Sequence, residues 1–355
     1  MKQDSKPAMR SARRSAKGPT VADVARLAGV SAMTVSRVIN NDGKVLPKTR
    51  ERVEAAIAAT GYVPNPAARS LASGRQRRIA LVHANPSAAY LSEFLVGSLA
   101  EASACDAQLL VEHCSEAEPT SALVARLRSH NIDAVLLPPP LADDMALLAA
   151  LNAEGFLVAQ VATGLPASFA RAVSIDDEGA AMDITRRFIA AGHRRIGFIA
   201  GNTNQTSSAL RRAGYERALA EAGIAIDSDL ITQGDFTYRS GLDAASRLLA
   251  LAQRPTAVFA SNDDMAAATV TAAHRAGLDV PRQLSICGFD DTAIATTVWP
   301  ELTTIRQPIA DMARRATRLL VEAIDAGDEK STPRHERLEF EFIERGSTAP
   351  LPALD

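Results

Sequence analysis

Residues 19–40, PTVADVARLAGVSAMTVSRVIN, bring short polar side chains and one arginine into a pattern that could do chemistry on a polyanion. Val35, Val38 and Ile39 recur at helical spacing and should face inward, which leaves Ala32, Met33, Ser36, Arg37 and Asn40 facing outward. Ser31 stands where it can cap that helix, with Thr34 in its first turn, and a helix N-terminus with two hydroxyls can hydrogen-bond a phosphate. Arg37 can reach a guanine edge in a major groove, and Met33 can touch a thymine methyl. Taken singly, Arg37 is equally well a solvated charge and Met33 a surface apolar residue; the ordered pattern is what favours DNA. Upstream, Thr20 is placed as an N-cap with Asp23 three residues on, and Val21, Val24, Ala25 and Ala28 supply an apolar stripe. Gly29 breaks this first helix and Val30 can plug the space before the second. Helix, short turn with glycine, helix is the helix-turn-helix arrangement.

A second set of polar residues sits just after predicted strands: His83-Ala84-Asn85, Gly201-Asn202, Ser261-Asn262-Asp263-Asp264 and Phe289-Asp290-Asp291-Thr292. In open α/β sheets ligands bind beyond the carboxyl ends of the strands, so these positions should converge on a crevice. Carboxylates, amides and an arginine fork suit vicinal hydroxyls, and an aromatic face suits the apolar side of a sugar ring. The pairs Asp263-Asp264 and Asp290-Asp291 could also hint at Mg²⁺, but adjacent side chains point apart on regular structure. One of Asp290 and Asp291 is expected to cap the turn that follows.

The elements that must position these residues read as follows. Residues 19–60 predict three short helices. From residue 78, apolar runs rich in Val, Ile and Leu alternate with helical patterns. Strands are predicted at Ile79–His83, Leu109–Glu112, Ala134–Leu137, Leu157–Val161, Arg195–Ala200, Thr256–Ala260 and Leu284–Gly288. Helices are predicted near 91–104, 120–130, 178–191, 209–222, 240–251 and 263–276. Buried strands alternating with helices argue for parallel βαβ units, and the length of this region argues for two doubly wound lobes. Between head and body, Asn65 and Pro66 make an N-cap and N1 pair for a helix ending at Gly74. So short a helix is unstable alone in water and should order only when something packs on it.

Charge divides the chain the same way. Residues 1–78 hold 16 Lys and Arg against 5 Asp and Glu, a net of +11; the remainder holds 23 against 36, a net of −13. A basic head on an acidic body is the signature of a polyanion-binding module joined to a separate domain. Cys105, Cys114 and Cys287 form no CxxC pair and read as reduced core thiols in a cytoplasmic protein. No run of about 18 apolar residues exists to cross a membrane, and the charged N-terminus lacks the apolar stretch of a secretory signal. No GxSxG, HExxH, Walker A or GxGxxG turn is present, and the histidines lack ligand spacing, so neither catalysis nor a metal nor a cofactor is expected.

The segment TVADVARLAGVSAMTVSRVIN is similar to the N-terminal signature of the lactose/galactose repressor (LacI/GalR) family, and the likeness continues through TRERVEAAIAATGYVPNPAARSLA and, more loosely, to about residue 346. The resemblance implies a tail at 1–18, a helix-turn-helix domain at 19–63, a hinge helix at 64–77, a two-lobed effector-binding and dimerisation domain at 78–346 resembling periplasmic binding proteins, and a tail at 347–355. It places Ala32, Met33 and Arg37 at base-reading positions, Ala32 departing from the bulky or polar residue that some members carry. Thr20, Ser31, Thr34, Ser36 and Asn40 become phosphate contacts. Asn65, Ala68 and Leu71 fall on the hinge helix, with Leu71 matching a leucine wedged between base steps. SSALRRAGY assigns Arg211 as the ligand arginine with Ser207 nearby; ASNDDMA assigns Asn262, CGFDDT Asp290, and LTTIRQP Gln307. GDF puts Phe236 where a stacking aromatic sits, and HANPSAAY adds Asn85 and Tyr90. The function implied is a homodimeric DNA-binding repressor of carbohydrate-utilisation genes, released from a pseudo-palindromic operator by a small sugar-like effector. The ending LPALD, with no heptad helix, implies a dimer and no coiled-coil tetramer. A regulator of the corepressor type answering to a purine or sugar phosphate stays open, since Arg211 would suit a phosphate too; a plain solute-binding protein is the remaining rival.

Overall fold

A computed structural model describes residues 19–39, 45–62, 76–115, 117–327 and 333–351. The chain divides into two units, residues 1–76 and 77–355. In the first, α1 (Val21–Ala28), α2 (Ala32–Ile39) and α3 (Pro47–Thr60) follow in order. Gly29 ends α1 with φ 61°, a left-handed conformation in which glycine is unstrained. Val24, Val35 and Val53, one from each helix, are fully buried, with Val38, Ala56 and Tyr62 around them. The Arg52 guanidinium of α3 donates to the Ala28 carbonyl at 2.6 Å, satisfying an acceptor that the end of α1 leaves open. The expected tail at 1–18, Asn40, and the hinge residues Asn65, Ala68 and Leu71 lie outside the described residues.

The second unit begins with β1 (Arg77–His83), α4 (Ala88–Ala104), β2 (Ala107–His113), α5 (Thr120–Ser129), β3 (Ala134–Leu137), α6 (Met145–Ala153), β4 (Leu157–Val161) and β5 (Arg171–Ser174). It continues through α7 (Asp177–Ala190), β6 (Ile196–Ala200), α8 (Thr206–Glu221), β7 (Ile231–Gln233), α9 (Tyr238–Leu249), β8 (Ala257–Ala260), α10 (Asp263–Arg275), β9 (Ser285–Cys287), α11 (Ile294–Thr297) and β10 (Thr304–Arg306). The last elements are α12 (Ile309–Ala326), β11 (His335–Arg337) and β12 (Glu341–Ile343). One sheet has the order β11-β5-β4-β3-β1-β2, the other β7-β6-β8-β9, and every pairing within them is parallel. These are the two doubly wound lobes that the alternating pattern predicts. Residues of β3, β6 and β8 are buried throughout, as parallel strands covered on both faces must be.

The expected strands and helices are present with ends shifted by a few residues. Several further elements are added: α6, β5, β7, α11, β10, α12, β11 and β12. The largest, α12, carries an inward stripe of Met312, Ala313, Ala316, Leu319 and Leu320. It packs along α4 and over β4 and β5 of the first lobe. The approach to α4 is close: a Cβ on Gly97 would stand 2.2 Å from the Ala310 carbonyl oxygen. Because α12 and β11 belong to the first lobe while β10 and β12 pair antiparallel beside the second, the chain passes between the lobes three times.

Candidate functional site

In the head, Ser31 caps α2: its Oγ accepts the Thr34 amide at 3.1 Å, and the two hydroxyls stand 2.9 Å apart. Ala32, Met33 and Arg37 form the exposed face of α2, Met33 with 65 % of its surface accessible. Thr34 and Ser36 are half-buried on its flanks. Thr20 is committed locally, its Oγ1 donating to Asp23 Oδ2 at 2.7 Å and its amide to the same oxygen at 3.0 Å. That bonding holds the Asp23 carboxyl below its usual range.

In the second unit, Asn85, Tyr90, Ser207, Arg211, Phe236, Asn262, Asp290 and Gln307 all line one cavity of about 360 Å³, part of it open to solvent. They arrive there as the topology demands, from segments beyond the carboxyl ends of β1, β6, β7, β8, β9 and β10. Ser87, Pro139, Ala162 and Gln205 complete the lining. Two of these had a sequence signal in their position just before a helix: Ser87 accepts from the Tyr90 amide at 3.3 Å, and Gln205 precedes α8. Ala162 and Pro139 gave none.

Arg211 is the centre of the site. Its Nε donates to Asp177 Oδ1 at 2.8 Å and its Nη1 to the Ser261 carbonyl at 2.5 Å, while Asp290 Oδ1 lies 3.9 Å from Nη1. All three charged side chains are almost wholly buried. Burial raises the carboxyl pKa values of Asp177 and Asp290, Arg211 opposing the rise in both. Asp177 escaped the sequence reading; it is the first residue of α7, where an acidic residue also suits the helix dipole.

The aromatic that Arg211 lies over is Phe289, at 3.6 Å from its centroid; Phe236 is 6.0 Å away. Phe236, held at φ 70°, presses its ring onto Gly201, where a Cβ would come within 1.9 Å of the ring. One expectation needs correction: the turn after Asp290-Asp291 is capped by neither. Asp291 pairs with Arg306 at 2.7 Å and Arg345 at 2.6 Å, while Asp263 accepts the Thr292 amide at 2.8 Å and the Thr304 hydroxyl at 2.7 Å. The amides of Asn85 and Asn262 are also occupied at both ends. Asn85 joins the Pro139 carbonyl to the Ser87 amide, and Asn262 joins the Phe236 carbonyl to the Met265 amide. Both shape the wall of the cavity.

Polar contacts between the lobes flank the cavity. Ser87 Oγ donates to Asp264 Oδ2 at 2.7 Å. Asp143 accepts the Thr206 amide at 2.8 Å, the Thr206 hydroxyl at 3.0 Å and the Thr163 hydroxyl at 2.6 Å. Among the described residues no group of three His, Cys, Asp or Glu is placed to hold a metal. Nor is any helix long and apolar enough to cross a membrane.

A helix-turn-helix head and a two-lobed body with a polar cavity between parallel sheets define a ligand-responsive DNA-binding regulator. Residues 20–65 match the model of bacterial regulatory proteins of the lacI family, and residues 185–348 match that of periplasmic binding protein-like domains. The chain belongs to the LacI family of transcriptional regulators. It is 36 % identical over 313 residues to the HTH-type transcriptional regulator CelR of Thermobifida fusca, covering 86 % of this chain and 92 % of that one. The structure of a CelR–cellobiose complex superposes with a TM-score of 0.71 at 34 % identity, covering 93 % of this chain and 99 % of the other. A lac repressor dimer bound to operator and the anti-inducer ONPF gives a TM-score of 0.71 at 26 % identity, with 94 % and 100 % covered.

Proposed function

We propose that this regulator is a homodimeric repressor released from a pseudo-palindromic operator by a small sugar. The observation that carries the reading is the cavity itself: Arg211, Asp290, Gln307, Ser207 and Tyr90 gather hydroxyl-recognising groups around a space beside the Phe236 ring. A similar regulator, CelR, has a structure with cellobiose. On this reading Ala32, Met33 and Arg37 face base edges, Ser31, Thr34 and Ser36 face phosphates, and Leu71, outside the described residues, wedges the central step. The sugar binds between the lobes and favours the closed arrangement. It changes operator affinity only to the extent that it binds one arrangement better than the other.

The test combines two titrations on the full chain. An operator selected from a random-sequence library should be a palindrome, and its affinity should fall steeply with salt as phosphates are neutralised. A panel of mono- and disaccharides, screened by thermal shift, should contain a member that also lowers operator affinity. A panel in which no sugar alters DNA binding would reject the reading.

A further inference from the structure

We infer that the effector is an uncharged hydroxylated molecule held by Tyr90 and Gln307, and that the neutralised Arg211 group excludes its phosphate esters. The inference deepens the sugar reading and rests on it. Two side-chain atoms of the cavity lining, Tyr90 Oη and Gln307 Oε1, are buried with no hydrogen-bond partner among the described residues. Tyr90 is 5 % exposed and Gln307 2 %. A buried polar atom without a partner is costly, and a ligand that supplies the partner recovers that cost. Gln307 fixes which partner it wants, because its Nε2 donates to Asp290 Oδ1. The remaining Oε1 is an acceptor and calls for a ligand O–H or N–H. Tyr90 Oη can donate to a ligand oxygen or accept from one.

Charge supplies the exclusion. Among the described residues Arg211 is the only cation in the lining, and it is engaged by Asp177, by the Ser261 carbonyl and by the Phe289 ring beneath it. Asp290 faces the same space. With Asp290 ionised the group Arg211–Asp177–Asp290 is net negative; with Asp290 protonated it is neutral. In neither state is there a free positive charge for a phosphate, and a phosphate buried there would lie beside carboxylates without a counterion. Arg211, which as a residue type suits a phosphate, is here already neutralised.

Isothermal titration of the full chain with matched pairs tests this: glucose and glucose 6-phosphate, ribose and ribose 5-phosphate, cellobiose and its 6′-phosphate, with inorganic phosphate alone. A neutral sugar that binds should bind at least about a hundredfold more tightly than its ester, and inorganic phosphate should not bind. Tyr90→Phe should weaken that sugar about tenfold while leaving the melting temperature of the unliganded protein unchanged or higher, since it removes an unsatisfied hydroxyl. A merely structural hydroxyl would instead lower the melting temperature and leave sugar affinity alone. Tighter binding of an ester, or full sugar affinity in Tyr90→Phe, overturns the inference while the sugar reading stands. Binding by none of the compounds overturns both.

Discussion

Asp143, from the first lobe, holds the first residue of α8 in the second: its carboxylate accepts both the amide and the hydroxyl of Thr206. A carboxylate at a helix N-terminus satisfies an open N–H and opposes the dipole. With Ser87–Asp264, it ties the two lobes together through contacts that no ligand needs to supply.

Asp143→Ala should therefore loosen the lobes. The Thr206 amide and the Thr163 hydroxyl lose their acceptor, at a cost of about 1–3 kcal/mol. Small-angle scattering of the unliganded protein should show a larger radius of gyration, and the effector's apparent affinity should fall because the competent arrangement is less populated. An unchanged scattering curve would remove Asp143 from this role.

Arg211→Ala should be strongly destabilising, by about 3–5 kcal/mol, because it strands the buried Asp177 carboxylate. The sign with pH follows. Losing Arg211 lifts the Asp177 pKa further, so the ionised form costs more, and the deficit relative to the parent should be greater at pH 7 than at pH 4. Urea denaturation at the two pH values measures it, and adding Asp177→Ala should restore part of the loss.

Asp263 offers a second pH test. Burial, with the nearby Asp291 charge, pushes its carboxyl up to about 7, from about 3.9 in an unfolded chain. Between these values the folded state keeps a proton that the unfolded chain has released, so this group's contribution to stability falls as pH rises through that window. Asp263→Asn lacks the effect. The melting temperature of the parent should fall relative to that of the variant from pH 4 to 7, and a relative rise would contradict the burial argument.

In the head, Arg37→Ala should cost about 1–3 kcal/mol of operator affinity and relax the base preference at one position, whereas Ser31→Ala should cost about 1 kcal/mol of head stability through loss of the α2 cap. Competition binding with single-base operator variants separates the two. A uniform loss over all variants for Arg37→Ala would make it a phosphate contact instead.

How far the sequence carries the reader depends on the range of the interaction. The head is legible because its determinants are local: a glycine at a forced left-handed turn, a serine cap, and valines at helical spacing. The alternating strands and helices are legible for the same reason, and the polar residues after them converge because strand polarity alone sends them to one side. Asp177 was not legible, since what matters about it is a partner 34 positions away. That Arg211 lies over Phe289 depends on side-chain packing, to which residue type gives no clue. The return of α12 and β11 to the first lobe is a long-range pairing, invisible to periodicity.

That return has a consequence for synthesis. While a ribosome is still adding residues beyond β5, the first lobe has its central strands but lacks the helix that covers β4 and the edge strand that closes β5. Its apolar face stays open until Ile309–Ala326 has emerged, by which time most of the second lobe has been made. The nascent sensor should therefore depend on chaperone protection for most of its translation, and should acquire protease resistance in both lobes late and together rather than in sequence from the N-terminus.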